Sequence, residues 1–194
     1  MINEDLRLLE DQISACRLCQ LAENRNRAVP GSGPAPARMM LVGEAPGREE
    51  DQSGQPFVGR GGRLLDVALQ QAGLNRSEIF ITSVIKCRPP NNRKPMKKEI
   101  ASCLPYLQAQ MEIVRPKIVC LMGNTAAAAV LGRQGIQSLR GQLWQERFAV
   151  TYHPAAVLRN RNLMAEFVSD LERLNSLQDQ SYFVGAAGFQ KQHP

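Results

Sequence analysis

The sequence predicts an α/β fold of three layers, α/β/α, in which helices cover both faces of a central four-stranded, mainly parallel sheet. Two observations support this prediction. Short apolar runs rich in β-branched residues alternate along the chain with longer amphipathic segments. Three of the apolar runs also end abruptly in Gly, Pro, His or charged residues. Functional residues of parallel sheets collect at such strand ends.

The first half of the chain supplies a leading helix, two strands and the helix between them. Residues 3–21 place Leu6, Leu9 and Ile13 on one helical face. Pro and Gly mark residues 29–38 as a loop before the buried strand "MMLVG". The segment "GGRLLDVALQQAGL" predicts an amphipathic helix that stops at Gly73, and "EIFITSVIK" predicts the second strand.

The second half repeats the alternation. "PMKKEIASCLPYLQAQMEIV" predicts a helix that Pro105 interrupts or kinks, and "PKIVCLMG" predicts the third strand. "NTAAAAVLG" predicts a short helix capped by Asn124 or Thr125, before the fourth strand "RFAVTYHP" and the closing helix "LMAEFVSDLERLNSL". Carboxyl ends of parallel strands meet at one edge, so "GEAPG", "KCRPP" and "HP" are expected to converge there.

Length and composition indicate an ordinary globular protein. The chain has 194 residues, of which 43% are hydrophobic and 22% charged. No run approaches the ~20 apolar residues that span a bilayer. The acidic start "MINEDLRLLEDQ" is not a secretory signal. We expect a cytoplasmic monomer without membrane contact, with one domain over residues 1–177 and a flexible tail over 178–194.

Positive charge is concentrated in one segment. The net charge is +6, and residues 86–98 contain six cations and no acid. Such a cluster favours a nucleic-acid partner. Aromatic residues make up only 5% of the chain, which argues against a broad stacking platform for single strands.

Four of the five cysteines are candidate metal ligands. Cys16 and Cys19 form a C-x-x-C pair, and Cys87 and Cys103 follow far downstream. Cys120 lies within an apolar strand and is interpreted as a core residue. Disulfides are rare in the cytosol. Four thiolates suit Zn²⁺ or an iron–sulfur cluster, and the spacing alone does not separate the two.

Three motifs carry a family likeness. "GEAPGREEDQSGQPFVGRGGRLL", "ITSVIKCRPPNNRKP" and "TYHPAAVLRN" together resemble the family 4 uracil-DNA glycosylases, the iron–sulfur branch of their superfamily, over about residues 16–174. The resemblance implies a uracil-DNA glycosylase-like fold and hydrolysis of the N-glycosidic bond of uracil in DNA. It also selects a [4Fe–4S] cluster, with Cys16, Cys19, Cys87 and Cys103 as its ligands.

The same resemblance implies roles in the pocket. His153 would donate a hydrogen bond to uracil O2, and Phe57 would stack on the flipped base. Glu44 would stabilise the sugar cation or orient water, although Ala45 stands where the best-known family of the superfamily has an aspartate. Glu50 would crowd the uracil 5-position and exclude thymine. The small residues in this motif would let the backbone approach the base, and they are Gly43, Ala45 and Gly47.

One position departs from the family pattern. Ser83 stands where the family usually has an asparagine that reads uracil through two hydrogen bonds. A serine hydroxyl cannot make both bonds at once. We therefore expect an active glycosylase with an altered pocket.

The resemblance and the charge pattern together predict DNA contacts. Phosphate contacts are expected from Lys86, Arg88, Arg93 and Arg159. Val157 or Leu158 would be an apolar wedge that enters the vacated base stack. The tail segment "QSYFVGAAGF" is a candidate contact for a replication clamp.

Three alternatives remain open at this point. The protein could be an iron–sulfur DNA-binding protein that has lost catalysis, or a glycosylase for hypoxanthine or xanthine. A nucleotide-binding α/β protein is disfavoured because no G-x-x-x-x-G-K-[ST] motif and no clear G-x-G-x-x-G motif occur. The loop "CRPPNNRKPMKK" has no histidine, which argues against the covalent trapping of uracil-DNA found in one variant branch.

Overall fold

The computed structural model describes residues 3–179, and a five-stranded sheet forms the centre of this region. The strands are β1 Met39–Gly43, β2 Ile79–Ser83, β3 Ile118–Met122, β4 Leu143–Trp144 and β5 Phe148–Thr151. Their order is β2-β1-β3-β5-β4, and every pair is parallel except β4 with β5. The predicted mainly parallel sheet is confirmed. The additional strand β4 has only two residues, too few to give a periodic sequence signal.

Helices flank this sheet on both faces. They are α1 Glu4–Ala15, α2 Leu21–Asn24, α3 Arg48–Ser53, α4 Arg60–Gln71, α5 Lys97–Val114, α6 Asn124–Leu131, α7 Ile136–Leu139, α8 Pro154–Arg159 and α9 Met164–Asp179. None of the helices in residues 3–179 is long and apolar enough to cross a membrane.

The central strand β1 shows how the three layers form. Met39 and Leu41 belong to the apolar cluster that α4 and α9 cover. Met40 and Val42 belong to the cluster on the other face, under α5 and α6. All four side chains are fully buried, as expected for a parallel strand with helices on both sides.

Two helices differ from the prediction. Helix α1 ends at Ala15, before the first cysteine, rather than at residue 21. Helix α5 continues through Pro105, so the expected interruption is wrong. Pro105 has no amide N–H, so the carbonyl of Ala101, one turn earlier, lacks its helical hydrogen bond. Both residues are exposed, so water can bond to this carbonyl.

The caps of α4 and α6 were predicted with different success. Gly73 follows the end of α4 with a φ of +70°, which confirms the predicted stop. The residue before α6 is Gly123, and neither Asn124 nor Thr125 caps the helix. Their side chains instead contact the Gly135 amide and Glu44, respectively.

The predicted tail begins within a helix, because α9 continues through Asp179. The remainder of the tail, including the candidate clamp segment, lies outside the described residues. The division at residue 177 stays a prediction.

Candidate active site

A cavity of about 720 Å³ lies at the carboxyl edge of the sheet. Its lining includes residues that follow β1, β2 and β5, so the predicted convergence of the three motifs is confirmed. The predicted pocket residues in its wall are Glu44, Ala45, Gly47, Glu50, Phe57, Ser83 and His153. Gly43 lies directly behind them, against the Phe57 ring.

His153 lies in the wall of this cavity and carries a buried hydrogen-bond donor. It precedes α8, and its Nδ1 accepts a hydrogen bond of 3.1 Å from the Ala155 amide. This bond assigns the imidazole proton to Nε2. Nε2 is buried and has no hydrogen-bond partner among the described residues. An unpaired buried donor is costly, so a ligand acceptor is the expected partner.

The His153 imidazole is neutral at physiological pH. Burial lowers its pKa to about 4; nearby Glu44 opposes this shift, and Arg159 adds to it. The side chain is therefore a neutral donor.

Glu44 is held by a residue that the sequence analysis missed. The Thr125 hydroxyl, on α6, donates a hydrogen bond to Glu44 Oε2. Thr125 is buried. Among the described residues, the other oxygen, Oε1, has no hydrogen bond and is available to a ligand. No local sequence pattern signals the contact, because the two residues are 81 positions apart.

Phe57 is held in an unusual backbone conformation. Its φ is +52°, in the left-handed region that non-glycine residues rarely adopt. Its ring is buried and lies 5.9 Å from the His153 ring, centroid to centroid. A Cβ on Gly43 would come within 2.5 Å of the Phe57 ring, and one on Gly62 within 1.8 Å of its carbonyl oxygen. Both glycines are therefore required for the ring to stand where it does.

Glu50 holds two parts of the pocket together. Oε1 accepts hydrogen bonds from the amides of Val58, at 3.0 Å, and Gly59, at 2.8 Å. Oε2 accepts a bond of 3.0 Å from the Gly47 amide. The carboxylate thus joins the loop after β1 to the turn that carries Phe57. Its predicted role in excluding thymine stays a prediction.

Ser83 lies at the end of β2 and is 6% exposed. Its carbonyl accepts a hydrogen bond of 2.7 Å from Lys86 Nζ. The same ammonium donates to Thr82 Oγ1 at 2.7 Å and to Gln110 Oε1 at 2.6 Å. Lys86 is only 1% exposed, and this burial lowers its pKa to about 7. The prediction that Lys86 contacts phosphate is wrong, because its ammonium is enclosed by the fold.

The other predicted DNA contacts are differently placed. Val157 is fully buried in the cluster under α4 and α9, so the prediction of a Val157 wedge is wrong. Leu158 is only partly buried.

The arginines predicted to contact phosphate lie near the cavity. Arg159 lies in the cavity wall, as does Arg93, which forms a two-bond ion pair with Glu99 at 2.6 and 2.9 Å. Arg88 is bonded to Asn92 at 2.7 Å. Phosphate contacts by these arginines stay predictions.

The four candidate cysteine ligands line one small cavity behind the active site. They are Cys16, Cys19, Cys87 and Cys103. Arg25 Nη1 donates a hydrogen bond of 3.0 Å to Cys87 Sγ, and the Lys86 amide donates one of 3.3 Å to Cys103 Sγ. Burial raises the pKa of the Cys103 thiol to about 11. Cys120 is fully buried in β3, as predicted.

The chemistry of this donor set fits an iron–sulfur cluster. Among the described residues, no three His, Cys, Asp or Glu side chains are arranged to hold a single metal ion. Four thiolates with hydrogen-bond donors beside two of them are the ligand set that an iron–sulfur cluster would take.

The active-site cavity thus combines the Phe57 ring, the neutral His153 imidazole and the Glu44 carboxylate in one wall. Comparison with known proteins identifies the family of this chain. The model of the uracil DNA glycosylase superfamily matches residues 30–174. A type-4 uracil-DNA glycosylase of Pyrobaculum aerophilum is 44% identical over 179 residues, covering 86% of this chain and 91% of that protein.

Two further relatives carry the same name. The type-4 uracil-DNA glycosylase of Archaeoglobus fulgidus is 40% identical over 178 residues, covering 86% of this chain and 89% of that protein. That of Thermotoga maritima is 38% identical over 181 residues, covering 89% of this chain and 94% of that protein. The chain belongs to the uracil DNA glycosylase superfamily.

Proposed function

We infer that the protein is a uracil-DNA glycosylase of DNA repair, which hydrolyses the N-glycosidic bond of uracil in DNA and leaves an abasic site. One observation carries this inference. The neutral His153 ring lies in the cavity wall beside the Phe57 ring, and its buried Nε2–H has no hydrogen-bond partner among the described residues. Uracil is a flat base with a carbonyl acceptor, and the chain is 38–44% identical to type-4 uracil-DNA glycosylases.

The base must leave the helical stack before the bond can be cleaved. The extruded uracil stacks on Phe57, for which the missing side chains of Gly43 and Gly62 leave room. Ser83 offers one hydroxyl to the base edge from the end of β2. At this edge, uracil is therefore recognised through fewer hydrogen bonds than an asparagine side chain would make.

Bond cleavage creates two opposite charges. The C1′–N1 bond breaks, N1 keeps the electron pair, and uracil leaves as an anion. The Nε2–H of His153 stabilises that anion at O2, and a fixed donor is most effective where charge develops. A neutral imidazole is suited to this task because it need not first gain a proton at physiological pH.

The sugar carries the positive charge until water adds to C1′. Glu44 stabilises this cation and orients the water through the oxygen that Thr125 leaves free. The water oxygen bonds to C1′, and the water proton passes to solvent or to the departing base. DNA phosphates share the electrostatic task, since Ala45 supplies no second carboxylate.

We propose that Cys16, Cys19, Cys87 and Cys103 hold a [4Fe–4S] cluster. When bound, the cluster supplies a covalent crosslink rather than a step in bond cleavage. Its ligands come from the segment after α1, the segment after β2 and helix α5, so it would fix these parts to one another. The proximity of four sulfurs in one cavity supports this proposal. Iron content and a visible absorption band of the purified protein test it.

A base-release assay tests the function. Iron-loaded protein is incubated with labelled oligonucleotides that contain uracil, thymine, hypoxanthine or xanthine, and abasic sites are then cleaved with alkali. We expect cleavage at uracil, and a loss of about 100-fold or more in His153→Ala and Glu44→Ala. Release of hypoxanthine or xanthine instead would reassign the substrate. DNA binding without release of any base would identify a protein that has lost catalysis.

A further inference from the structure

A second cavity, of about 310 Å³, lies beside the active site between α4 and the segment that follows α8. Its lining divides into three arginines, Arg60, Arg63 and Arg161, and four apolar residues, Leu64, Val67, Leu158 and Met164. We refer to these seven residues as the arginine groove. We propose that the arginine groove binds the sugar–phosphate backbone of the DNA strand next to the extruded nucleotide. This inference rests on the proposed function.

Charge identifies the occupant as a polyanion. No acidic or aromatic side chain is among the seven residues of the arginine groove. Among the described residues, Arg60 and Arg161 make no hydrogen bond or ion pair, so both guanidinium groups are available. Arg63 pairs with Glu49 at 3.2 Å, but both side chains are about half exposed or more, and such pairs are weak. A phosphate can therefore displace Glu49.

Position identifies the polyanion as the substrate strand. Arg60 lines both the arginine groove and the active-site cavity, so the two are neighbours. Leu158, in the arginine groove, directly precedes Arg159 in the cavity wall. A strand that delivers its uracil to the cavity must continue across one of the cavity's rims, and this rim is positively charged.

The apolar residues determine the mode of binding. Val67 is 48% exposed on α4, and Leu158 and Met164 are partly buried opposite it. These side chains can pack against a deoxyribose, but they offer no ring for a base to stack on. The arginine groove therefore contacts phosphate and sugar, which confers affinity without sequence preference.

The test measures how salt weakens binding of an uncleavable DNA that carries 2′-fluoro-2′-deoxyuridine. Wild-type protein is compared with Arg60→Gln/Arg63→Gln/Arg161→Gln. The matched control, Arg7→Gln/Arg38→Gln/Lys117→Gln, removes three exposed cations elsewhere. Three lost phosphate contacts should reduce the slope of log K against log salt by about 2 to 3. Between 50 and 200 mM salt, wild-type protein should lose about 15- to 60-fold more affinity than the groove variant. The control should retain the wild-type slope.

A second measurement needs no variant. Neutral methylphosphonate linkages are placed one at a time on either side of the uracil analogue and tested with wild-type protein. We expect several consecutive linkages on one side to weaken binding. Equal slopes for both variants, or no linkage effect beyond the two phosphates of the extruded nucleotide, would overturn the proposal. If wild-type protein releases uracil normally in that case, the role proposed for the arginine groove is wrong, while the proposed function stands.

Discussion

At the scale of single residues, the active site depends on a few hydrogen bonds with clear partners. Thr125 is the positioning residue for Glu44, since its hydroxyl is the only hydrogen-bond donor to that carboxylate within residues 3–179. A buried threonine that orients a carboxylate affects the rate more than substrate binding.

Thr125→Val keeps the shape of the side chain and removes its hydroxyl. Hydrogen bonds to charged groups contribute about 1.5–3 kcal/mol, so we expect kcat to fall about 10- to 100-fold with little change in KM. Steady-state assays on uracil-containing DNA measure this split. Thr125→Ser retains the hydroxyl and should recover most of the rate. Equal kcat in the valine variant and the wild type would show that Thr125 does not position Glu44.

Ser83 is the residue where base recognition is expected to be weakest. Ser83→Asn restores a side chain that can make two hydrogen bonds to uracil. Each hydrogen bond contributes about 0.5–1.5 kcal/mol, so we expect up to about a tenfold gain in rate or in preference for uracil over cytosine. Competition assays with matched oligonucleotides measure both quantities. If neither changes, the description of the pocket edge is wrong.

At the scale of elements, two charged side chains, the half-buried Glu50 and the buried Lys86, connect separate segments around the active site. Glu50 joins the loop after β1 to the turn around Phe57 through three amide hydrogen bonds. Lys86 joins the end of β2 to α5 through the Ser83 carbonyl and Gln110. The Lys86 amide also bonds to Cys103, so the base-reading strand and the cysteine site share one support.

Glu50→Gln tests the first of these connections. The amide nitrogen of glutamine cannot accept a hydrogen bond, so at least one of the three backbone amides loses its partner. We expect a loss of about 1–3 kcal/mol in the free energy of unfolding, measured by chemical denaturation. Glu49→Gln, the neighbouring exposed acid, should lose less than about 1 kcal/mol. Equal losses in the two variants would contradict the role given to Glu50.

At the scale of the whole molecule, the sequence was sufficient for the architecture and for the place of the site. Apolar runs identified the four longer strands, and their unusual endings located the cavity edge. The burial of Lys86 could not be predicted in the same way. A lysine after a strand is usually exposed, and its partner Gln110 lies 24 residues away. The contact of Thr125 was missed for the same reason, because its partner Glu44 lies 81 positions away.

The whole account rests on the neutral state of the His153 ring, and the pH dependence of uracil release tests it most directly. An ordinary histidine would gain its proton near pH 6.5, whereas burial lowers the pKa of His153 to about 4. As pH falls from 8 to about 5.5, the imidazole should therefore remain neutral. We predict that the single-turnover rate of uracil release shows no His153-dependent change over this range and stays about 100-fold or more above that of His153→Ala. A rate that changes about tenfold with a midpoint near pH 6.5, and only when His153 is present, would contradict the account.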